Sequence, residues 1–169
     1  MAVKEIKNKL QGLSQKALIE LLIDLYNKNK SVQEQMDFYF DPNERELLKI
    51  YKSKVLEAFY PKRGDMFHLN FGKKAITDFK KLKPSLESQI DLMIYYVECG
   101  VKLTNEFGDI DEKFYSSLES VYRDSLKLID NNQLHKKFED RAFRIIEHTK
   151  DIGWGFHDYL GDLYYQTYQ

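Results

Sequence analysis

Cysteine is almost absent: the single Cys99 excludes an intramolecular disulfide and a Cys-rich zinc site, and it suits a reducing cytoplasm. Breakers are scarce as well, with three prolines and eight glycines in 169 residues, so no Gly/Ser-rich linker or low-complexity segment is present. No apolar run approaches the roughly 18 residues that a membrane span needs. The first eleven residues hold three lysines but neither an apolar h-region nor a small-residue cleavage site, so no signal peptide is expected. Alternating β-branched runs are missing, and so are Asn-Gly and Asp-Gly hairpin turns. No Gly-x-Ser-x-Gly elbow, HExxH pair or Walker-type loop occurs, and Gly72-Lys73-Lys74 lacks the leading glycine and the hydroxyl of such a loop.

What is present is apolar and aromatic. Twelve Tyr, eleven Phe and one Trp in a chain that is 43% hydrophobic supply too much apolar surface to leave in water. A chain of this size buries roughly 70% of the surface its unfolded state exposes, and one domain over residues 1–169 is the default. Charge divides along that length. Residues 1–83 hold 17 Lys+Arg and 11 Asp+Glu, and residues 84–169 hold 9 and 16, within a net charge of −1. This outlines a basic lobe over 1–60, an irregular loop over 61–71 and an acidic lobe over 72–169. The lysines are interleaved with acids, as on a solvated face, rather than massed in a block.

Apolar residues recur at helical spacing from end to end. Val3, Ile6 and Leu10 precede Gly12, and Ser14 can cap a helix carrying Leu18, Leu21, Leu22 and Leu25. Ser31 with Glu34, and Asp41 with Glu44, have capping-box spacing, the second with Pro42 at the first helical position. Leu47, Tyr51, Val55 and Phe59 continue to the Tyr60-Pro61 break, and Ala75, Ile76, Phe79 and Leu82 resume after the loop. A helix of about six turns follows from Leu86 to Phe107, stopped by Gly108. Asp109 or Asp111 caps the next, which ends at Asn131-Asn132. The eighth carries Leu134, Phe138, Ala142 and Ile146 and closes at Gly153. The ninth runs from Trp154 to Tyr168. Nine helices with short connections predict an all-α fold of stacked antiparallel helical hairpins, with a short superhelical, solenoid-like array as its variant.

Chemistry-bearing residues gather in three places. His148, His157, Asp158 and Asp162 offer metal-ligand types for a metal-dependent hydrolase, but their spacing does not fix two ligands on one face. The structural reading is preferred: Gly153 ends a helix, Trp154 plugs the junction, and Asp158 meets the positive end of the next helix. Lys62 and Arg63, with Lys73, Lys74, Lys80, Lys81 and Lys83, stand among Tyr60, Phe67 and Phe71, the mixture that single-stranded nucleic acid uses. The neutral overall charge argues against that partner. Glu106, Asp109, Asp111 and Glu112 lack the order of a calcium loop and read as helix caps. Cys99 beside Glu98 reads as a core residue, and Tyr95-Tyr96 and Tyr164-Tyr165 each predict one ring inside and one at the rim.

The stretches Asp37 to Glu44, Tyr96 to Glu98 with Thr104 to Asp111, and Ile152 to Asp158 together resemble a family of small bacterial proteins, the domain-of-unknown-function family 6155. The Phe59 to Arg63 break and the Ala75 to Phe79 helix extend the likeness over nearly the whole chain. The resemblance implies a stand-alone bacterial, cytoplasmic protein, and it carries no activity, cofactor or catalytic residue. The expectation is therefore a helical binding or scaffold module for a protein or small polar ligand, with no catalytic residue, no cofactor, no nucleic acid and no membrane. Its first candidate surface is a rim of Tyr96, Asn105, Glu106, Trp154, His157 and Asp158.

Overall fold

The computed structural model of the chain describes residues 2–64 and 67–168; Asp65 and Met66, inside the loop expected over 61–71, lie outside the described residues. Among the described residues there are nine α-helices and no strand, the all-α array that the helical spacing predicts. Backbone contacts divide the chain into two compact units, Met1–Asn43 and Glu44–Gln169, a division that falls inside the 1–60 lobe outlined by charge.

The first unit holds α1 (Val3–Gln11), α2 (Gln15–Lys28) and α3 (Lys30–Phe40). Gly12 closes α1, and Ser14 caps α2 by accepting a bond from the Ala17 N–H at 3.2 Å. The Ser31–Glu34 box goes unused, because the chain turns at Asn29 and α3 is already under way at Lys30. Tyr26 ties α2 to α3 by donating to Asp37 Oδ1 at 2.9 Å. No residue of these three helices is buried among those described.

The second unit holds α4 (Glu44–Phe59), α5 (Leu69–Lys81), α6 (Leu86–Phe107), α7 (Glu112–Asn131), α8 (His135–Glu147) and α9 (Phe156–Tyr168). Its core helix is α6, which packs against α4, α5, α7 and α8, while α9 lies on α7 and α8. Ile90, Ile94, Tyr96 and Val97 are fully buried there. Two glycines permit the close approach. A Cβ on Gly72 of α5 would stand 2.7 Å from the Tyr96 ring, and one on Gly100 of α6 would stand 2.4 Å from Leu118 of α7.

Helix ends follow the sequence in some places and depart from it in others. Asp111 caps α7 through the Phe114 N–H at 2.8 Å, and Gly108 ends α6 at φ +88°. The Asp41–Glu44 box does not form, since α4 starts at Glu44 itself and Asp41 terminates α3. Glu44 instead serves the start of α6. It accepts the Ser85 N–H at 3.0 Å and the hydroxyls of Ser85 and Ser88, satisfying helix-end groups that have no partner within α6. Burial pushes the Glu44 carboxyl up, but these bonds outweigh it and hold the group below the ordinary carboxylate range. At the end of α7 it is Gln133, not Asn131 or Asn132, that takes the left-handed conformation, at φ +56°.

The segment between α8 and α9 corrects one expectation. Trp154 does not plug the junction: it is 63% exposed and held at φ +62°. Thr149, Ile152 and Phe156 fill the space instead, all three buried. The helices end earlier and begin later than their apolar stripes suggest, because Thr149 turns the chain back onto α8 by donating to the Ile146 carbonyl at 2.8 Å.

Candidate functional site

Two of the clefts in the second unit hold charged candidates among the described residues. The smaller, about 530 Å³, lies between α6 and α8. Asn105, Glu106 and His148 of the expected candidates line it, together with Glu98, Arg141 and Arg144. Arg141 forms its floor. Its Nε and Nη2 meet the two Glu98 oxygens at 2.5 and 2.7 Å, and its Nη1 meets Asp91, which also holds Lys52 at 2.7 Å. Burial opposes the Arg141 charge, but Glu98 and Asp91 outweigh it and raise its pKa. The Asn105 amide donates to the His148 carbonyl at 2.9 Å, and Glu106 accepts from the Tyr60 hydroxyl at 2.6 Å. These groups are largely occupied with one another, which makes this cleft chiefly a clasp between helices.

The remaining candidates lie elsewhere. Tyr96, expected at the rim, is fully buried, and its hydroxyl lies 2.9 Å from Ser117 Oγ. Burial pushes that phenol up to about 12. His157 Nδ1 sits 2.9 Å from Thr149 Oγ1, and Trp154 and Asp158 line neither of these two clefts. Among the described residues no three His, Cys, Asp or Glu side chains form a metal-ligating group, so His148, His157, Asp158 and Asp162 are not brought together as one. Of the acidic cluster, Asp111 caps α7 as expected, whereas Asp109 accepts the Tyr115 hydroxyl at 2.8 Å and Glu106 the Tyr60 hydroxyl. Cys99 is buried, its thiol pushed up to about 11 by desolvation.

The larger cleft, about 740 Å³, opens between α4, α5 and the chain that joins them. Its formation begins with local structure. Tyr60-Pro61 ends α4, and the His68 N–H returns to the Ala58 carbonyl at 2.7 Å, which ties the start of α5 to the end of α4. The helix α5 starts at Leu69, earlier than its apolar stripe suggests, so Phe71 and Lys74 are presented on its first turns. The floor is apolar: Tyr51, Ala58 and Ala75 are buried, and Phe71 lies against the His68 ring at 5.1 Å. Lys54 Nζ stands 4.0 Å from the Tyr51 ring centroid.

The rim of this cleft is basic. Among the described residues Lys54, Lys62, Arg63 and Lys74 line it with two carboxylates, Glu57 and Asp78. Asp78 is consumed by Lys74 and by Lys81 at 2.9 Å, and those bonds hold its carboxyl below the usual range. Among the described residues neither Lys62 nor Arg63 carries an ion pair. Two cations without an ion pair among the described residues, beside an apolar floor and the exposed Phe71 ring, suit an anion attached to a flat or apolar group. The basic segment does not form one continuous track. Lys73 lines a different cleft with Glu112 and Lys113, Lys80 is half-buried with its pKa lowered by desolvation, and Phe67 is spent on Phe114 at 5.1 Å.

Sequence reasoning singled out Lys62, Arg63, Lys74 and Phe71, but it missed Tyr51, Ala58 and Ala75 as their floor. Small residues at Ala58 and Ala75, one on each helix, were the signal for a hollow between them. Arg141 and Arg144 were missed as well. Arg141 borders the apolar stripe of Phe138, Ala142 and Ile145, which is how a charged side chain held by partners shows itself in a sequence.

No helix among the described residues is long and apolar enough to cross a membrane. Searches of curated proteins and of solved structures return no match. The model of a family of unknown function, DUF6155, matches residues 1–165, and the chain belongs to that family.

Proposed function

We propose that the protein is a binding module for a small anionic ligand carrying a flat ring, seated in the cleft between α4 and α5. The observation that carries this reading is the pairing of an apolar floor with Lys62 and Arg63, which carry no ion pair among the described residues. The cleft volume, about 740 Å³, falls within the roughly 300–1,000 Å³ of small-molecule sites. In this reading the guanidinium of Arg63 and the ammonium of Lys62 hold a phosphate or carboxylate, and the exposed Phe71 offers its ring as a stacking surface. A compact ligand is favoured over a polynucleotide, because Lys73 and Lys74 line separate clefts. The reading involves no catalytic step and places the protein in a reducing, cytoplasmic setting, which its lone, buried Cys99 supports.

Calorimetric titration of the full chain with a nucleoside monophosphate, the matching nucleoside and inorganic phosphate tests this. The monophosphate should bind more tightly than either part, and its affinity should fall as salt rises. The double variant Lys62→Ala with Arg63→Ala should weaken binding at least tenfold, whereas Arg144→Ala, in the other cleft, should leave it unchanged. Absence of heat with the monophosphate and with an aromatic carboxylate at low salt overturns the reading. A short single-stranded oligonucleotide that binds far more tightly than the mononucleotide would replace it with nucleic-acid recognition.

A further inference from the structure

Within the first unit α2 and α3 expose a run of large apolar side chains. At 100° per residue, Leu21, Leu25, Leu18, Leu22, Ile19 and Ile23 sweep an arc of about 200° around α2, and Lys16, Glu20, Asp24 and Lys28 occupy the rest. A single neighbouring helix covers a stripe of about 100°. α3 is that neighbour. It leaves Ile19, Leu22 and Ile23 about half exposed, and Leu21 and Leu25 more than a third exposed. On α3 itself, Val32, Met36, Tyr39 and Phe40 share a face about 100° wide, whose end is bare: Tyr39 is 79% and Phe40 74% exposed.

We infer that the α2–α3 hairpin is a self-association element, on which the same hairpin of a second copy of this chain packs to close a four-helix bundle. Three observations select that occupant. The first is geometry: a helix with twice the apolar width that one neighbour needs requires a second neighbour, and two hairpins give every helix two. The second is area. The exposed parts of the five α2 side chains and of Tyr39 and Phe40 amount to roughly 600 Å² of apolar surface, at about 120 Å² per whole aliphatic and about 200 Å² per whole aromatic side chain. Each partner of a standard interface contributes about 800 Å², of which roughly 450 Å² is apolar, so the supply suffices. The third is charge. Residues 1–43 carry six lysines against six acids, so nothing repels an identical copy and nothing recruits a strongly charged partner or an anionic lipid surface.

Light scattering coupled to size exclusion, on the full chain across a hundredfold range of concentration, reads the assembly directly. The expected mass is twice 20.2 kDa, falling toward 20.2 kDa on dilution. Ile23→Glu, which sets a carboxylate in the bare part of the arc, should weaken dimerisation at least tenfold. Phe107→Glu, at a still more exposed position on α6, should leave it intact. A wild-type mass of 20.2 kDa throughout overturns the inference, as does a dimer that survives Ile23→Glu but is lost with Phe107→Glu. Should Ile23→Glu fail to fold, isotope-filtered NOEs between labelled and unlabelled wild-type copies decide. Cross-copy contacts to the α2 methyl groups support the hairpin interface, and a dimer without them overturns it.

Discussion

Replacing Arg141 by methionine breaks a charge network that joins three helices. The guanidinium of Arg141 on α8 holds Glu98 through two bonds and Asp91 through a third, and Asp91 holds Lys52 of α4. Removing one partner of a fully buried pair costs about 3–5 kcal/mol, because the other charge is left desolvated. Here the side chains retain 25–32% exposure, so water relieves part of that penalty, and Asp91 keeps Lys52. The expected loss is about 2 kcal/mol at neutral pH, which lowers the urea midpoint by roughly 1 M. Acid adds a second signature. Burial raises the Asp91 carboxyl, but Lys52 and Arg141 outweigh it and hold its folded pKa below the ordinary value. A carboxylate of that kind stabilises the folded state fully above its unfolded pKa, and the contribution is lost as pH falls through the folded one. The gap between wild type and Arg141→Met should therefore be constant from pH 7 down to about pH 4 and shrink below it. Urea unfolding of the full-length protein, followed by circular dichroism at both ends of that range, measures the gap. A loss under about 0.5 kcal/mol at pH 7, the scale of an exposed pair, refutes the reasoning, and so does a gap that stays open in acid.

Other substitutions probe single contacts. Gly100→Ala gains about 1 kcal/mol of helix propensity but places a methyl 2.4 Å from Leu118 Cδ2 and 3.0 Å from its Cγ, an overpacking of about 1–3 kcal/mol. Thermal melting should show a net loss, and pairing it with Leu118→Ala should cost less than the two changes summed. Asp111→Ala removes the cap on the Phe114 N–H and should cost about 1 kcal/mol in the same assay, while Asp111→Asn retains most of the stability. Cys99, buried and with its thiol pushed up to about 11, should resist a thiol reagent at pH 8 until denaturant unfolds the chain. Prompt stoichiometric labelling in buffer would contradict that placement.

Local signals were read well where the partner lies within one turn. Ser14, Gly12, Gly108 and Asp111 act on their own helix ends, and the span from Leu86 to Phe107 was legible from its stripe alone. Readings failed where a distant element decided. Glu44 has capping-box spacing from Asp41, yet it serves Ser85 and Ser88, some forty residues away, and no spacing rule covers such a bond. Gly72 carries no signal in the sequence beyond an incomplete Walker-type pattern, although its missing side chain is what lets α5 approach Tyr96. Trp154 at a helix junction predicts a buried plug, but Trp154 and Gly155 both take positive φ and the side chain stays 63% exposed. The candidate site was legible as a list of cations and not as a place. Which lysines share a cleft depends on helical phase across α5, which sends Lys73 and Lys74 to different surfaces.

The most direct test of ligand binding in the cleft between α4 and α5 is a residue-resolved one. Backbone amide resonances of the full chain, followed during titration with a nucleoside monophosphate, should shift at Lys54, Lys62, Arg63, Phe71 and Lys74, saturate together, and stay put at Glu98, Arg144 and His148. Saturating shifts centred on the α6–α8 residues instead, or no saturating shift anywhere, would contradict the account.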